Sequence, residues 1–492
     1  MSVFDKARER FWLIKALSNF QKSIFYPILF GAICTVSALS NIDIYLPLTL
    51  ILSISVVFGT LFTDDLKFIF VPFIMIYYSI GMDFGGTFTE IKGEILGRFA
   101  TRGLIHFLIC GIVMVICLMY RLVVSGAARN IFKRRGSFLW GILILDVAFM
   151  LNGVKSPVWD PANLFYGALN AFVLTVVYLI FVGILSVTED AIPYLCKVMV
   201  CFGYMIFAQT LILCAKLYVN DQFFLRHYAT GEIIGIDRGN IFFSWGIPTI
   251  IGAAVVLAIP SAFYLAKNHR FGLFYYVSAF VFLGMTFVIN TRSASICGAF
   301  VALVCIIVCC FSGRNRKING IFTLAILVIS IIVGMIMIAK FNMTAIAKEL
   351  LKFFRFDKTE DVRLAIWEHG WEVFKGAPYF GTGFVYDGNI DRLVFNNIYS
   401  NMYHNIIIEM FATLGILGVF GFFVHFLNMA KVFFVRFSAD KMLMLMTPVL
   451  ILIMSLFDNF FFYPNFQIVY AIFLAVADTC FYKKKKRDNA LK

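Results

Sequence analysis

Charge is scarce in this chain. Only 14% of its 492 residues are Asp, Glu, Lys or Arg, whereas 61% are hydrophobic. A soluble domain is nearer about 45–50% apolar, so a water-soluble globule is excluded. Alternation is lacking too: the apolar stretches do not switch every second residue, which excludes a transmembrane β-barrel of ~10-residue alternating strands. The eleven cysteines show no zinc or disulfide spacing. Most of them, such as Cys34, Cys110, Cys214 and Cys305, fall inside apolar runs, where a thiol acts as a small packing group. No internal repeat is visible, and low complexity is confined to a basic tail. The first twenty-two residues contain Lys6, Arg8, Arg10, Lys15 and Lys22 and no short apolar core followed by small residues. No cleavable signal peptide is therefore expected, and the first span is expected to direct insertion.

What is present is a series of apolar runs, each long enough to cross a hydrocarbon core of ~30 Å. Fourteen are counted: about 23–40, 44–62, 67–82, 104–120, 137–153, 164–187, 194–217, 241–265, 271–289, 294–311, 320–339, 404–428, 441–460 and 465–482. The expected fold is all-α, a polytopic membrane protein of about 14 transmembrane helices with one long extracytoplasmic loop bearing short helices. The chain divides into an N-terminal transmembrane bundle (1–230), a second membrane region expected to carry the chemistry (231–482, including the loop 340–403) and a basic tail (483–492).

Charge asymmetry orients these spans. With the N-terminus inside, 26 of the 42 Lys and Arg fall on the cytoplasmic side; sixteen fall outside, eight of them in the long loop. Long loops are exempt from the positive-inside rule, so the comparison is 26 against 8 and both termini are expected in the cytoplasm. The net charge of +14 then needs no nucleic acid. The run Lys483–Arg487 reads as an anchor facing anionic lipid. Residues 340–403 face away from the cytoplasm, where ATP and nucleotide-sugars are absent. Any chemistry there needs an energised substrate delivered through the membrane.

A polar loop of this length is uncommon unless functional. It opens with a possible amphipathic helix, Thr344–Phe356, expected on the membrane surface. Asp361 is placed to cap a second helix, 362–375, with Leu364, Trp367, Trp371 and Phe374 on one apolar stripe and Arg363 in its first turn. Gly376 and Pro378 end it, and Gly381 and Gly383 permit tight turns or close backbone approach to a ligand. Their spacing matches neither P-loop nor dinucleotide fingerprints. Three arginines are expected on the outward side: Arg238 before the eighth span, Arg292 between the ninth and tenth, and Arg363. Guanidinium groups are always charged and make paired hydrogen bonds to phosphate oxygens, so three could hold a pyrophosphate without a metal. Pairing of Arg238 with Asp237, or snorkelling of Arg292 to the interface, are the plainer alternatives. His404, where the loop enters the twelfth span, is a candidate general base. Glu409, buried in that span, needs a partner. It lies four residues after Asn405, on the same face, where the two could brace the loop junction. Gly415 and Gly418 suggest close helix packing.

Taken in order, Thr291-Arg292-Ser293, Arg363-Leu-Ala-Ile-Trp367, Pro378-Tyr-Phe-Gly381-Thr-Gly383-Phe384, His404-Asn405, Glu409 and Leu414-Gly415-Ile-Leu-Gly418 resemble the O-antigen ligase and polymerase superfamily over roughly residues 230–430. The match departs from the family in its fourteen spans, against about a dozen, and in having Arg292 before Ser293 where the family often has Ser-Arg. The resemblance implies a metal-independent, inverting membrane glycosyltransferase with no cofactor. Its donor would be a glycan on undecaprenyl pyrophosphate, and its acceptor a glycan, lipid or wall polymer. It also implies a place in the bacterial cytoplasmic membrane, beside other polysaccharide-assembly proteins. Arg238, Arg292 and Arg363 would hold the pyrophosphate, and His404 would deprotonate the acceptor hydroxyl. Asn405, Glu409 and Trp367 would support them. Polymerase and ligase differ only in acceptor, and the motifs do not separate them. Two rivals remain: a flippase or transporter of lipid-linked glycans, with Asp146, Lys197 and Asp458 lining a path, and a structural subunit of an envelope-assembly complex.

Overall fold

The structure, a computed structural model, describes residues 3–40, 42–79, 104–133, 138–156, 159, 161–226, 230–231, 233–340, 362–384, 403–435 and 437–482. The expected surface helix Thr344–Phe356, the Asp361 cap, much of the 340–403 loop and the basic tail lie outside the described residues.

Inside hydrocarbon no water is available to bond a backbone N–H or C=O, so an apolar run must satisfy them within itself as helix. In chain order the helices are α1 (Val3–Arg10), α2 (Trp12–Lys22), α3 (Phe25–Leu39), α4 (Ile42–Phe62), α5 (Phe70–Met75), α6 (Leu104–Val124) and α7 (Ala127–Lys133). There follow α8 (Leu139–Met150), α9 (Ala162–Leu185), α10 (Ala191–Val219), α11 (Pro248–Val256), α12 (Ile259–Asn268) and α13 (Gly272–Val288). The last are α14 (Arg292–Phe311), α15 (Arg316–Lys340), α16 (Val362–Gly376), α17 (Ile406–Phe434), α18 (Ala439–Met454) and α19 (Pro464–Val476). Among the described residues, extended ladders are confined to a short antiparallel hairpin, β1 (Phe224–Arg226) with β2 (Ile233–Ile236), which the sequence reading did not anticipate.

The polytopic all-α architecture is as expected; the count of fourteen spans is not confirmed. Among the described residues, eight helices are long and apolar enough to cross a membrane, or nine if the bent pair α2 and α3 counts as one. Leu66–Ser79, Ile109–Val124, Leu139–Met150 and Gly272–Val288 are shorter. An apolar run overstates helix length where turns shorten it. Tight 3₁₀ turns flank α5 on both sides, and a turn follows α8 at once. The eleven cysteines are buried or half-buried, consistent with packing.

Two compact units partition the chain. The first comprises 1–135, 179–262 and 278–291. Its core is aromatic, with Phe70 and Phe181 stacked at 5.1 Å between ring centroids and Tyr78 edge-on to Phe202 at 5.0 Å. The second comprises 136–178, 263–277 and 292–492. There α8 runs antiparallel to α17 at close range, because glycines replace side chains along the seam. A Cβ on Gly141 would lie 3.1 Å from the Cα of His425, and one on Gly421 would lie 3.2 Å from the Cα of Leu145.

The feature that organises the second unit is a break in α17. Gly415 has φ 64° and ψ −159°, so the helix unwinds for one residue. The backbone groups thereby released are taken up by the segment after α16. The Ile416 N–H donates to Pro378 O (2.8 Å) and the Leu417 N–H to Tyr379 O (3.2 Å). In return the Thr382 N–H donates to Ala412 O (2.9 Å) and the Gly383 N–H to Thr413 O (3.0 Å). Gly415 thus interrupts the helix, where the sequence reading expected close helix packing. The nearest atom to a Cβ on Gly418 is Leu414 of the same helix. At Gly415 itself a Cβ would sit 2.6 Å from the carbonyl carbon of Tyr379, on a backbone that disfavours L-residues. The Gly415→Ala variant is therefore expected to lose about 1–3 kcal/mol of stability, read as a lower thermal midpoint in detergent. Gly320→Ala, inside α15 where the added methyl meets nothing within 4 Å, serves as the control that loses no stability.

Candidate functional site

The site is built around the two ends of the 340–403 loop that the structure describes. The helix expected at 362–375 is found as α16, Val362–Gly376. Its buried face differs from the expected stripe: Ile366 and Gly370 are buried and Trp367, Val373 and Phe374 half-buried, whereas Leu364 and Trp371 are 56% and 43% exposed. Ile366 packs with Tyr403 and Ala412, and Trp367, Val373 and Ile408 close over them. The Trp371 and Phe374 rings both meet Phe411, at 5.5 and 5.0 Å. A Cβ on Gly370 would lie 2.7 Å from the Tyr403 ring, so this glycine sets how closely α16 approaches the far end of the loop.

Trp367 supplies the polar link. Its indole Nε1 donates to the Tyr403 carbonyl at 2.9 Å. Arg363 lies one turn earlier on the same helix face and is exposed. The helix that carries Arg363 is in this way fastened to the residue immediately before His404.

His404 has a positive φ of 51°, an uncommon conformation for a residue with a side chain. The bonds on either side hold it there. The Tyr403 N–H donates to Glu409 Oε2 at 3.2 Å, and the Ile406 N–H donates to Ser455 O at 2.8 Å. Glu409 also accepts from Asn459 Nδ2 at 2.6 Å. Asn405 and Glu409, expected to brace the loop junction from one face, make separate contacts there. Asn405 caps α17, its Oδ1 accepting from the N–H of Ile407 (2.9 Å) and of Ile408 (3.4 Å), while Glu409 reaches Tyr403 and Asn459. A buried carboxylate is costly unless hydrogen-bonded, and Glu409 has those two donors.

Asp458 completes the group. Its Oδ1 lies 3.3 Å from His404 Nδ1 and accepts the Asn459 N–H at 2.8 Å. The His404 side chain is 35% exposed and that of Asp458 10%, so the imidazole is open to a substrate while its carboxylate is withdrawn. When Nδ1–H donates to Asp458, Nε2 becomes the basic nitrogen, and the carboxylate stabilises the imidazolium that forms on proton uptake. Sequence reading treated Asp458 as part of a transport path and overlooked Asn459. The available signal was an Asp-Asn pair closing an apolar run, but its partner is 54 residues away.

The other named residues divide between the units. Arg292 is half-buried at the first position of α14, in the second unit with Arg363 and His404. Arg238 is in the first unit, in a 3₁₀ turn, Arg238–Asn240. That turn is tied to the hairpin by Asp237 N–H donating to Phe223 O at 2.9 Å. The Asp237 carboxylate accepts from Gly239 N–H and Asn240 Nδ2, both at 3.1 Å. Gly381 and Gly383 do adopt positive φ, 66° and 93°, but the backbone they approach is that of the protein. Gly381 lies against Thr413, and Gly383 against Asn163. A second unanticipated residue, Asn152, gathers three strands of chain: its Oδ1 accepts from Phe384 N–H at 3.2 Å, and its Nδ2 donates to Phe149 O (2.5 Å) and Asn163 O (2.9 Å). Among the described residues no group of three or more His, Cys, Asp or Glu is placed to share a metal ion.

Residues 277–423 match a family model described as O-antigen ligase. The matched stretch contains Arg292, Arg363, His404 and Glu409, and leaves Arg238 before it and Asp458 after it. No curated protein matches the chain. The Trp367→Phe substitution removes the donor to Tyr403 O and is expected to cost about 1–3 kcal/mol. Faster amide exchange across 362–376 would report it, with the exposed Glu372→Gln exchange as an unaffected control.

Proposed function

From a chain that belongs, through residues 277–423, to the O-antigen ligase superfamily, we propose a glycosyl transferase of the bacterial cytoplasmic membrane. It acts on the side opposite the two termini and takes its donor from a lipid pyrophosphate such as undecaprenyl pyrophosphate. One observation carries the reading: the residue that ends the long loop, His404, is paired with a withdrawn carboxylate at 3.3 Å, in the arrangement a general base requires. In the proposed step the acceptor hydroxyl gives its proton to His404 Nε2 as its oxygen bonds to the anomeric carbon. The bond from that carbon to the pyrophosphate oxygen breaks, with inversion, and the lipid pyrophosphate leaves with the electron pair. Arg292 and Arg363 neutralise the leaving group, and Asp458 orients His404. Trp367, Asn405, Glu409 and Asn459 hold the loop ends in register. The donor carries its own activation, so no nucleotide or metal enters the proposed step.

The acceptor is another lipid-linked glycan in a polymerase, or a lipid core, protein or wall polymer in a ligase, and the same residues serve both. Transport of the lipid-linked glycan is the competing reading. Two of the carboxylates that would line its path are engaged otherwise: Asp458 with His404, and Asp146 with the Thr175 hydroxyl.

In proteoliposomes supplied with donor and acceptor, His404→Ala is expected to lower turnover by ~10²–10⁴-fold while donor still binds. Arg292→Ala and Arg363→Ala are each expected to weaken transfer roughly ten- to a hundredfold, the worth of one charge-assisted bond. Undiminished release of lipid pyrophosphate by the His404 variant would sink the base assignment. Translocation of donor without glycan transfer by the wild type would establish the transporter instead.

A further inference from the structure

The first unit holds an amphipathic element whose polarity is inverted relative to a helix that lies on a protein in water. α1 and α2 precede the first span, and α2 meets α3 at 80°. Several of their polar side chains turn inward. Asp5 lies 3.6 Å from the Arg8 guanidinium and 3.5 Å from that of Arg121, which also donates to Thr63 O at 2.8 Å. Gln21, 4% exposed, donates to Ser55 O (2.7 Å) and accepts from the Thr63 hydroxyl (2.8 Å), and Lys22 pairs with Asp64 at 2.8 Å. The Phe4 ring packs edge-on against Phe62 at 5.3 Å. At α2 large apolar side chains face outward: Phe11, Trp12, Leu13 and Leu17 are 52%, 79%, 54% and 41% exposed.

Such a face is stable only against an apolar phase, and the chain supplies the reason to name which one. α2 is followed after two residues by α3, an apolar run that the sequence places as the first span, and the two meet at 80°; an α3 that enters the bilayer leaves α2 along the membrane boundary. Over residues 1–22 five basic side chains stand against two acidic ones, and Asp5 is engaged by Arg8 and Arg121. Lys6, Arg10 and Lys15 remain exposed, beside the apolar face. A helix with Trp, Phe and Leu on one face and Lys and Arg at its rim is the composition of an interfacial membrane helix, and basic groups at that depth favour anionic headgroups.

We propose that α1 and α2 form an interfacial clamp on the leaflet at the N-terminal side. In it Phe11, Trp12, Leu13 and Leu17 enter the acyl boundary, and Lys6, Arg10 and Lys15 contact the phosphates of anionic lipid. The polar inward face then joins the membrane surface to α4 and α6 through Asp5, Arg8, Gln21 and Arg121. The clamp is independent of the transfer reaction and does not rest on it.

The full-length protein in nanodiscs of phosphatidylcholine and phosphatidylglycerol tests this. The emission lost in Trp12→Phe defines the Trp12 component. That component is expected to be blue-shifted and quenched by lipids brominated near the headgroup end of the acyl chain, and protected from acrylamide. Quenching by acrylamide alone would place the helix in water, and protection from both quenchers would place it against protein. Either result overturns the proposal. In a second arm the Lys6→Glu, Arg10→Glu, Lys15→Glu variant is compared with wild type by spin-labelled phosphatidylglycerol. The immobilised fraction is expected to fall severalfold for phosphatidylglycerol and to stay constant for phosphatidylcholine. An unchanged phosphatidylglycerol fraction would overturn the anionic contact.

Discussion

Backbone hydrogen bonding in a medium without water is the constraint on which the rest of this protein depends. A helix can be broken inside the membrane region only if something replaces the bonds it loses. At Gly415 the replacement is Pro378–Gly383, which exchanges four backbone hydrogen bonds with α17 on either side of the break. The segment that follows α16 is therefore part of the helix it crosses. From this splice follow the positive φ of Gly381 and Gly383, the close approach to Asn163 and the anchorage of Phe384 on Asn152.

The candidate site inherits its rigidity from this arrangement. Two carboxylates in a largely apolar surround act in different ways. Glu409 ties the backbone of Tyr403 to Asn459, while Asp458 takes up both His404 and the Asn459 N–H. Asn459 thereby couples the two acids, and Trp367 joins the helix bearing Arg363 to the same point of chain. A base that must change protonation state is best held by groups that cannot themselves move, and Glu409, Ser455 and Asp458, which fix the chain and side chain at His404, lie at a helix end or in a tight turn.

Much of this was legible beforehand. The bounds of α16 could be placed to within a residue from Asp361, Gly376 and Pro378, because start and stop signals are local. The family resemblance rested on the order of short motifs. Its inner geometry was less legible. The expected stripe of α16 included Leu364 and Trp371, yet the buried side is Ile366 and Gly370. In a membrane protein both faces of a helix can be apolar, so periodicity no longer tells inside from outside. The same ambiguity turned Gly415 from a helix break into a packing residue.

By itself, the sequence determined the class of the molecule: hydrophobic runs too long and too uncharged for a soluble core, basic residues unequally distributed between their connections, and a polar loop ending at a histidine. These are sums over local residues, and hydration free energy decides them without reference to neighbours. Only the tertiary structure decided which apolar runs become full-length helices, that α17 is spliced by the loop, and that Asp458 rather than Asn405 or Glu409 faces His404. The last two are pairings across thirty or more residues, chosen by backbone groups and carboxylates that must find partners once water is gone. No spacing along the chain encodes which partner that is.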